Sequence, residues 1–236
     1  MRTILLFLLF LNALTLSAQK PVQYKISFPN AVHHEAEVEL LIPDVPAGPL
    51  TFRMSRSSPG RYATHEFGKN IYNVKAYNGS GSLLEVQQTE GDVYRVDKHD
   101  GTVRITYTIF GNWVDGTYMA IDETHAHLNM PATFMWIPAL KDRPIQIKFN
   151  DLNRYNWKVA TQLKSTENTD TFTAPDLNYF MDSPVELSNH HLISWKDRNT
   201  DNTEQVIRLS SHSPDNKEVV SAYAKMVERM VKESRA

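Results

Sequence analysis

Cysteine is absent from this sequence. That excludes disulfide bridges, a thiolate nucleophile and every cysteine-ligated zinc site. It also leaves stability to a packed core, which suits a bacterial periplasmic or secreted protein better than a small disulfide-stapled one. A second absence is any apolar run after residue 18 long enough to span a bilayer. A third is excess charge. With the first 18 residues set aside, 24 basic residues face 27 acidic ones, a net of −3. No basic stripe interrupts that balance, so nucleic acid is not an expected partner. The nine histidines add positive charge only in mild acid. There is no internal repeat and no low-complexity segment. Also absent are a phosphate loop, a Gly-x-Ser-x-Gly elbow and a His-Glu-x-x-His helix, the motifs that would have placed a catalytic centre.

What is present begins with a leader. Arg2 is followed by an apolar stretch from Ile4 to Leu16, and Ser17-Ala18 supplies small residues before Gln19. That pattern reads as a secretory signal peptide over residues 1–18, too short to span a bilayer comfortably. No cysteine stands at the cleavage point, so a bacterial lipoprotein anchor is excluded. The expected location is periplasmic or secreted. The remaining 218 residues suffice for one large or two small domains with a proper core.

From Val22 to about Leu209 the dominant period is two. Ala36, Val38, Leu40 and Ile42 alternate with Glu35, Glu37 and Glu39, and Val103, Ile105, Tyr107 and Ile109 alternate with Thr102, Arg104, Thr106 and Thr108. These are half-buried strands. Val93–Asp97 and Thr102–Phe110, joined across Asp100-Gly101, predict a hairpin. Asn78-Gly79-Ser80-Gly81 predicts another between Ile71–Tyr77 and Leu83–Gln88. Further short strands are expected at Ile145–Phe149, Trp157–Thr161, Phe172–Ala174, Val185–Leu187, Leu192–Trp195 and Gln205–Leu209. The prolines sit in connections, where no ladder donor is needed. The expected fold is all-β: an antiparallel, sandwich-like domain over residues 19–210.

The tail over residues 211–236 changes period. Ser213-Pro214-Asp215 offers a hydroxyl cap, a first-turn proline and an acid. Val219, Val220, Tyr223, Met226, Val227, Met230 and Val231 then recur at three- and four-residue steps. This predicts one amphipathic helix of about five turns. Either its apolar stripe packs back on the sheet, or the helix is the first piece of a further domain.

His34-Glu35 and His65-Glu66 each begin a zinc-peptidase pattern, but Val38 and Lys69 stand where the second histidine belongs, and neither pair lies on a helix. His125 and His127, two apart on a strand, would share a face and offer two metal ligands. The reading favoured here is a polar strand face, since no third ligand is apparent. Asp115, Asp122 and Glu123 do not define a glycosidase pair, and Asp115-Gly116 reads as a turn. His190-His191 is expected in a solvated connection. Trp113, Trp136, Trp157 and Trp195 form either a sugar-stacking platform or, the favoured reading, core.

Three blocks carry a family likeness. Ser57-Ser58-Pro59-Gly60-Arg61-Tyr62, with His65-Glu66-Phe67 and Lys69-Asn70-Ile71-Tyr72, is similar to the Pro-Gly-x-Tyr region of the glycyl aminopeptidase family of zinc metallopeptidases, family 61. Gly111–Tyr118, followed by Asp122–Asn129 and Pro131–Phe134, resembles the next signature of the same front domain. Met181–Glu186 resembles its closing segment. The resemblance implies a parent with an all-β front domain, a thermolysin-like zinc domain and a PDZ domain. It implies that residues 211–236 begin the zinc domain. No catalytic residue of the family matches a position here, so no cofactor is expected in this chain, and zinc and peptide substrate belong to the parent. Arg61, Tyr62 and His65 are the candidates for a loop facing the substrate cleft or a partner domain. The competing reading is a free-standing secreted module that binds glycan or protein. Exposure of the helix stripe favours the first reading, and burial favours the second.

Overall fold

The computed structural model describes residues 19–234; the signal peptide expected over residues 1–18 lies outside them. In chain order the strands are β1 (Val22–Asn30), β2 (Glu35–Ile42), β3 (Leu50–Arg53), β4 (Ile71–Asn78), β5 (Leu83–Leu84), β6 (Gln87–Glu90), β7 (Val93–Val96), β8 (Val103–Phe110), β9 (Met119–Ile121), β10 (His125–Leu128), β11 (Ile145–Phe149), β12 (Lys158–Ala160), β13 (Lys164–Ser165), β14 (Thr171–Ala174), β15 (Val185–Ser188), β16 (His191–Arg198) and β17 (Glu204–Ser211). The helices are α1 (Met130–Thr133), α2 (Leu152–Tyr155), α3 (Leu177–Met181) and α4 (Lys217–Glu233).

The expected all-β class is what the chain adopts. An eight-stranded sheet runs β13-β14-β11-β1-β2-β8-β4-β5, and a four-stranded sheet runs β12-β15-β10-β9. A three-stranded sheet, β3-β7-β6, and the hairpin β16-β17 complete it. Among the described residues, all strand pairings are antiparallel except β1 with β11, where Val22 to Ile26 run alongside Ile145 to Phe149.

The period-two pattern sorts the faces of the large sheet. Val22, Tyr24, Ile26 and Phe28 on β1, and Ala36, Val38, Leu40 and Ile42 on β2, point inward and are buried. Each large apolar side chain so buried contributes roughly 1.5–3 kcal/mol. The opposite face is charged and paired across strands: Lys25 to Glu39 at 2.9 Å, Arg104 to Glu39 at 3.4 Å, and the Thr108 hydroxyl to Glu37 at 2.8 Å.

Irregular chain crosses the inner face, and two buried phenols hold it. The Tyr24 hydroxyl donates to the Met135 carbonyl at 2.8 Å, and the Tyr107 hydroxyl donates to the Thr133 carbonyl at 2.9 Å. Met135 lies outside regular structure and Thr133 is the last residue of α1, so side chains satisfy these carbonyls. Phe134 lies edge-on to Tyr24 at 5.4 Å, and Phe180 of α3 stacks on the same tyrosine at 4.9 Å.

Four expectations are corrected. Val93–Val96 and Val103–Phe110 do not form a hairpin: β7 pairs with β3 and β6, while β8 lies between β2 and β4 in the large sheet. The turn signal at Asp100-Gly101 instead marks a crossing between sheets. In the second expected hairpin, β4 pairs with β5 only at Ala76–Leu84 and Tyr77–Leu83, and residues 87–90 leave for the small sheet. His190 is buried rather than solvated. Its surroundings hold its imidazole below the ordinary value, first through burial and then through Lys158. Finally, α4 starts later than Pro214. Asn216 is the cap, its Oδ1 accepting from Glu218 N at 3.1 Å and Val219 N at 3.0 Å. Ser213 and Asp215 bond each other in the preceding turn.

The hairpin and helix form an outlying unit. Ile193, Trp195, Ile207 and Leu209 are half-buried, whereas Leu192 and Val206 on the other hairpin face are exposed. α4 packs along β16 and buries Val220 and Ala224.

Candidate functional site

Two loops meet where β8 ends and β4 begins. The first follows β3 and carries Ser58, Gly60, Arg61, Tyr62 and His65; Gly60 adopts a φ of +76°, which favours glycine. The second runs from Gly111 to Tyr118, between β8 and β9. Asp115 shapes it: Oδ1 accepts from Thr117 N at 2.6 Å and Tyr118 N at 3.1 Å, and Oδ2 accepts from the Trp113 indole at 3.2 Å. This is the turn expected at Asp115-Gly116. Partial burial pushes the Asp115 carboxyl up, but these donors and Arg61 outweigh it and hold the pKa below the ordinary value.

Buried Asn129 joins the loops. Its amide donates to the Ser58 hydroxyl at 3.0 Å and to the Thr117 carbonyl. Arg61 reaches across to Asp115 at 3.9 Å. His65 lies flat on Phe67, with centroids 4.9 Å apart and 8° between planes. Its Nδ1 faces the Tyr118 hydroxyl at 3.4 Å, while its Nε2 is buried without a partner.

The three candidate loop residues therefore separate. Arg61 and Tyr62 stand at the exposed tip, with Tyr62 fully in solvent. His65 is 6% exposed and serves as a strut between the loops. Exposed Trp113 and Val114 of the second loop extend the rim that Tyr62 begins. Trp157, by contrast, is core, stacked on Tyr155 at 4.5 Å and edge-on to Phe28 at 5.1 Å. The tryptophans thus do not share one surface.

Below the second loop lies a hollow of about 400 Å³, lined by Asp115, Gly116, His125, His127, Glu186 and His212, among others. His125 and His127 do share a face of β10. Each has its own acid: His125 Nδ1 lies 3.3 Å from Asp122 and His127 Nδ1 lies 3.5 Å from Glu186. His212, just past β17, approaches the other oxygen of Glu186 at 3.6 Å, and its ring lies 4.6 Å from that of His125. Sequence reading missed Glu186 and His212. Period two places Glu186 opposite Val185 and Leu187, but only the pairing of β15 with β10 sets it directly across from His127.

Among the described residues no three His, Asp or Glu side chains are arranged to hold a metal ion. His34 sits in a left-handed turn (φ 63°) with Nδ1 2.6 Å from the Ile121 carbonyl, and neighbouring Glu35 is bonded by Asn30 and Tyr72. His65 is enclosed by Phe67 and Tyr118.

The family model described as the peptidase M61 N-terminal domain matches residues 23–189. That span ends just before the hairpin and α4 unit. An aminopeptidase N family protein from Idiomarina loihiensis superposes with a TM-score of 0.72 at 18% identity. The match covers 85% of this chain and 34% of that one. Aminopeptidase A from Legionella pneumophila, in complex with aspartic acid, gives a TM-score of 0.47 at 12% identity, covering 80% of this chain and 23% of that one. An M1 zinc metallopeptidase from Deinococcus radiodurans gives 0.42 at 11%, covering 80% and 46%. No curated protein matches. The chain spans about a third of the length of the Idiomarina protein.

Proposed function

The chain belongs to the peptidase M61 N-terminal domain family, and on that premise we propose that it is the non-catalytic front portion of a secreted zinc aminopeptidase, serving to wall the peptide-binding cleft. The sequence has no His-Glu-x-x-His, so the zinc and the hydrolytic step belong to a partner domain. What this chain supplies is a rigid rim. Asn129 and the His65 strut lock two loops together. Loops held on a rigid scaffold are suited to presenting contact residues, here Arg61, Tyr62, Trp113 and Val114.

The observation that carries this reading is the outer stripe of α4. Val219, Tyr223, Met226 and Met230 repeat at four-, three- and four-residue steps and are 51%, 52%, 42% and 57% exposed. The helix already packs one side on the hairpin through Val220 and Ala224. A second apolar stripe left in water supports a covering domain. A free-standing glycan module would have buried it. The coding sequence beyond the Ala236 codon tests this. A continued frame that encodes His-Glu-x-x-His on a helix supports the proposal, and a stop codon at that point overturns it.

A further inference from the structure

Away from the loop rim, two sheets expose free edges to the same trough. β12 is the last strand of the four-stranded sheet and β13 the last strand of the eight-stranded sheet. Only Thr161, Gln162 and Leu163 separate them in sequence. An edge strand carries unpaired N–H and C=O groups along its open side, a template for another strand. The outward face of the β16–β17 hairpin stands opposite. Together they enclose a trough of about 500 Å³, lined on the hairpin side by Leu192, Val206, Arg208 and Ser210. None of its lining residues belongs to the rim or to the histidine hollow.

The chemistry of the trough is one-sided. Leu192 and Val206 are more than half exposed, and Phe172 and Leu163 close the floor. Two cations line it, Lys164 and Arg208, and no Asp or Glu does. Neither cation has an ion-pair partner among the described residues. The Ser210 hydroxyl oxygen is buried there without a hydrogen-bond partner. A buried hydroxyl left unpaired carries a desolvation cost that an incoming acceptor removes.

We propose that this trough binds an extended, acidic polypeptide segment, which adds as a strand to the open edge of β12. Its backbone pairs with the edge, its apolar side chains lie on Leu192 and Val206, and its carboxylates meet Lys164 and Arg208. Strand addition of this kind takes affinity from main-chain bonds and selectivity from alternate side chains. Charge complementarity selects acidic over basic segments.

Fluorescence anisotropy on the full chain tests this with three capped, labelled hexapeptides. One alternates valine and glutamate, one alternates valine and lysine, and one is the glutamate peptide N-methylated at alternate amides. The glutamate peptide should bind, and the other two should bind about tenfold more weakly or worse. Lys164→Glu with Arg208→Glu should reverse the preference between glutamate and lysine. Both positions are exposed, and far-UV circular dichroism checks that the double variant is folded. Equal binding of the N-methylated peptide overturns strand addition and needs no variant. Absence of glutamate-peptide binding, or unchanged preference in the folded double variant, overturns the proposal as a whole.

Discussion

The hydroxyl of Tyr107 donates to the carbonyl of Thr133 at 2.9 Å, and through it β8 grips a segment 26 positions further along the chain. The same oxygen accepts from Met135 N at 3.0 Å. Tyr107→Phe keeps the ring but leaves a buried carbonyl and a buried N–H unpaired. The expected loss is about 1–3 kcal/mol, read by urea denaturation at neutral pH.

Alkaline pH probes the same anchors. Burial raises the phenols of Tyr24 and Tyr107 above the ordinary 10.0. The unfolded chain therefore releases these protons at lower pH than the folded one. Their contribution to stability is fully present below pH 10 and falls as pH rises further. Absorbance at the tyrosinate band should show both phenols titrating only as the chain unfolds. The Tyr107→Phe variant should show a shallower fall.

Acid pH probes the loop before β10. Asp122 Oδ1 accepts from Thr124 N at 2.6 Å, from the Thr124 hydroxyl at 2.6 Å and from His125 N at 3.0 Å. Burial pushes its carboxyl up, but these bonds prevail and hold the pKa below the ordinary 3.8. Its contribution is present above that value and is lost as pH falls through the lower folded value. Asp122→Asn should flatten the decline in stability measured between neutral pH and pH of about 2.

Gly68 packs where a side chain has no room. A Cβ there would lie 2.7 Å from the Gly91 carbonyl oxygen and 3.1 Å from the Asp92 Cα. Asp92 is itself held by Arg53 at 2.6 Å. Gly68→Ala should cost about 1–3 kcal/mol through overpacking, measured by thermal unfolding. Gly91→Ala, with open space at its Cβ, should cost less.

The two sides of α4 should respond differently. Met226→Lys and Met230→Lys alter exposed positions and should change the stability of this chain by no more than about 0.5 kcal/mol. Val220→Asp places a charge at a buried position against the hairpin and should unfasten the helix. Helical circular dichroism and amide exchange in α4 distinguish the two.

Strand positions were legible wherever one face is buried, because alternation then has a physical cause. Ile145–Phe149 and Glu35–Ile42 show this. Strand partners were not legible. Asp100-Gly101 has the local chemistry of a hairpin, yet β7 pairs with β3 in a different sheet, where Phe52 stacks on Tyr94 at 5.6 Å. At the rim, sequence supplied Arg61, Tyr62 and His65 as neighbours in the chain. The fold turned His65 inward because its ring is flanked by Phe67 and Tyr118, and Tyr118 lies far along the sequence. Likewise His125 and His127 were visible as a pair, but Glu186 and His212 reach them only through sheet pairing and the return of the hairpin.

As proposed above, this chain contributes a cleft wall and no hydrolytic centre. Metal analysis of the purified chain together with an aminopeptidase assay tests it most directly. The expected result is no stoichiometric zinc after dialysis and no release of amino-terminal residues from peptide or aminoacyl substrates. One equivalent of tightly held zinc accompanied by such release would contradict it.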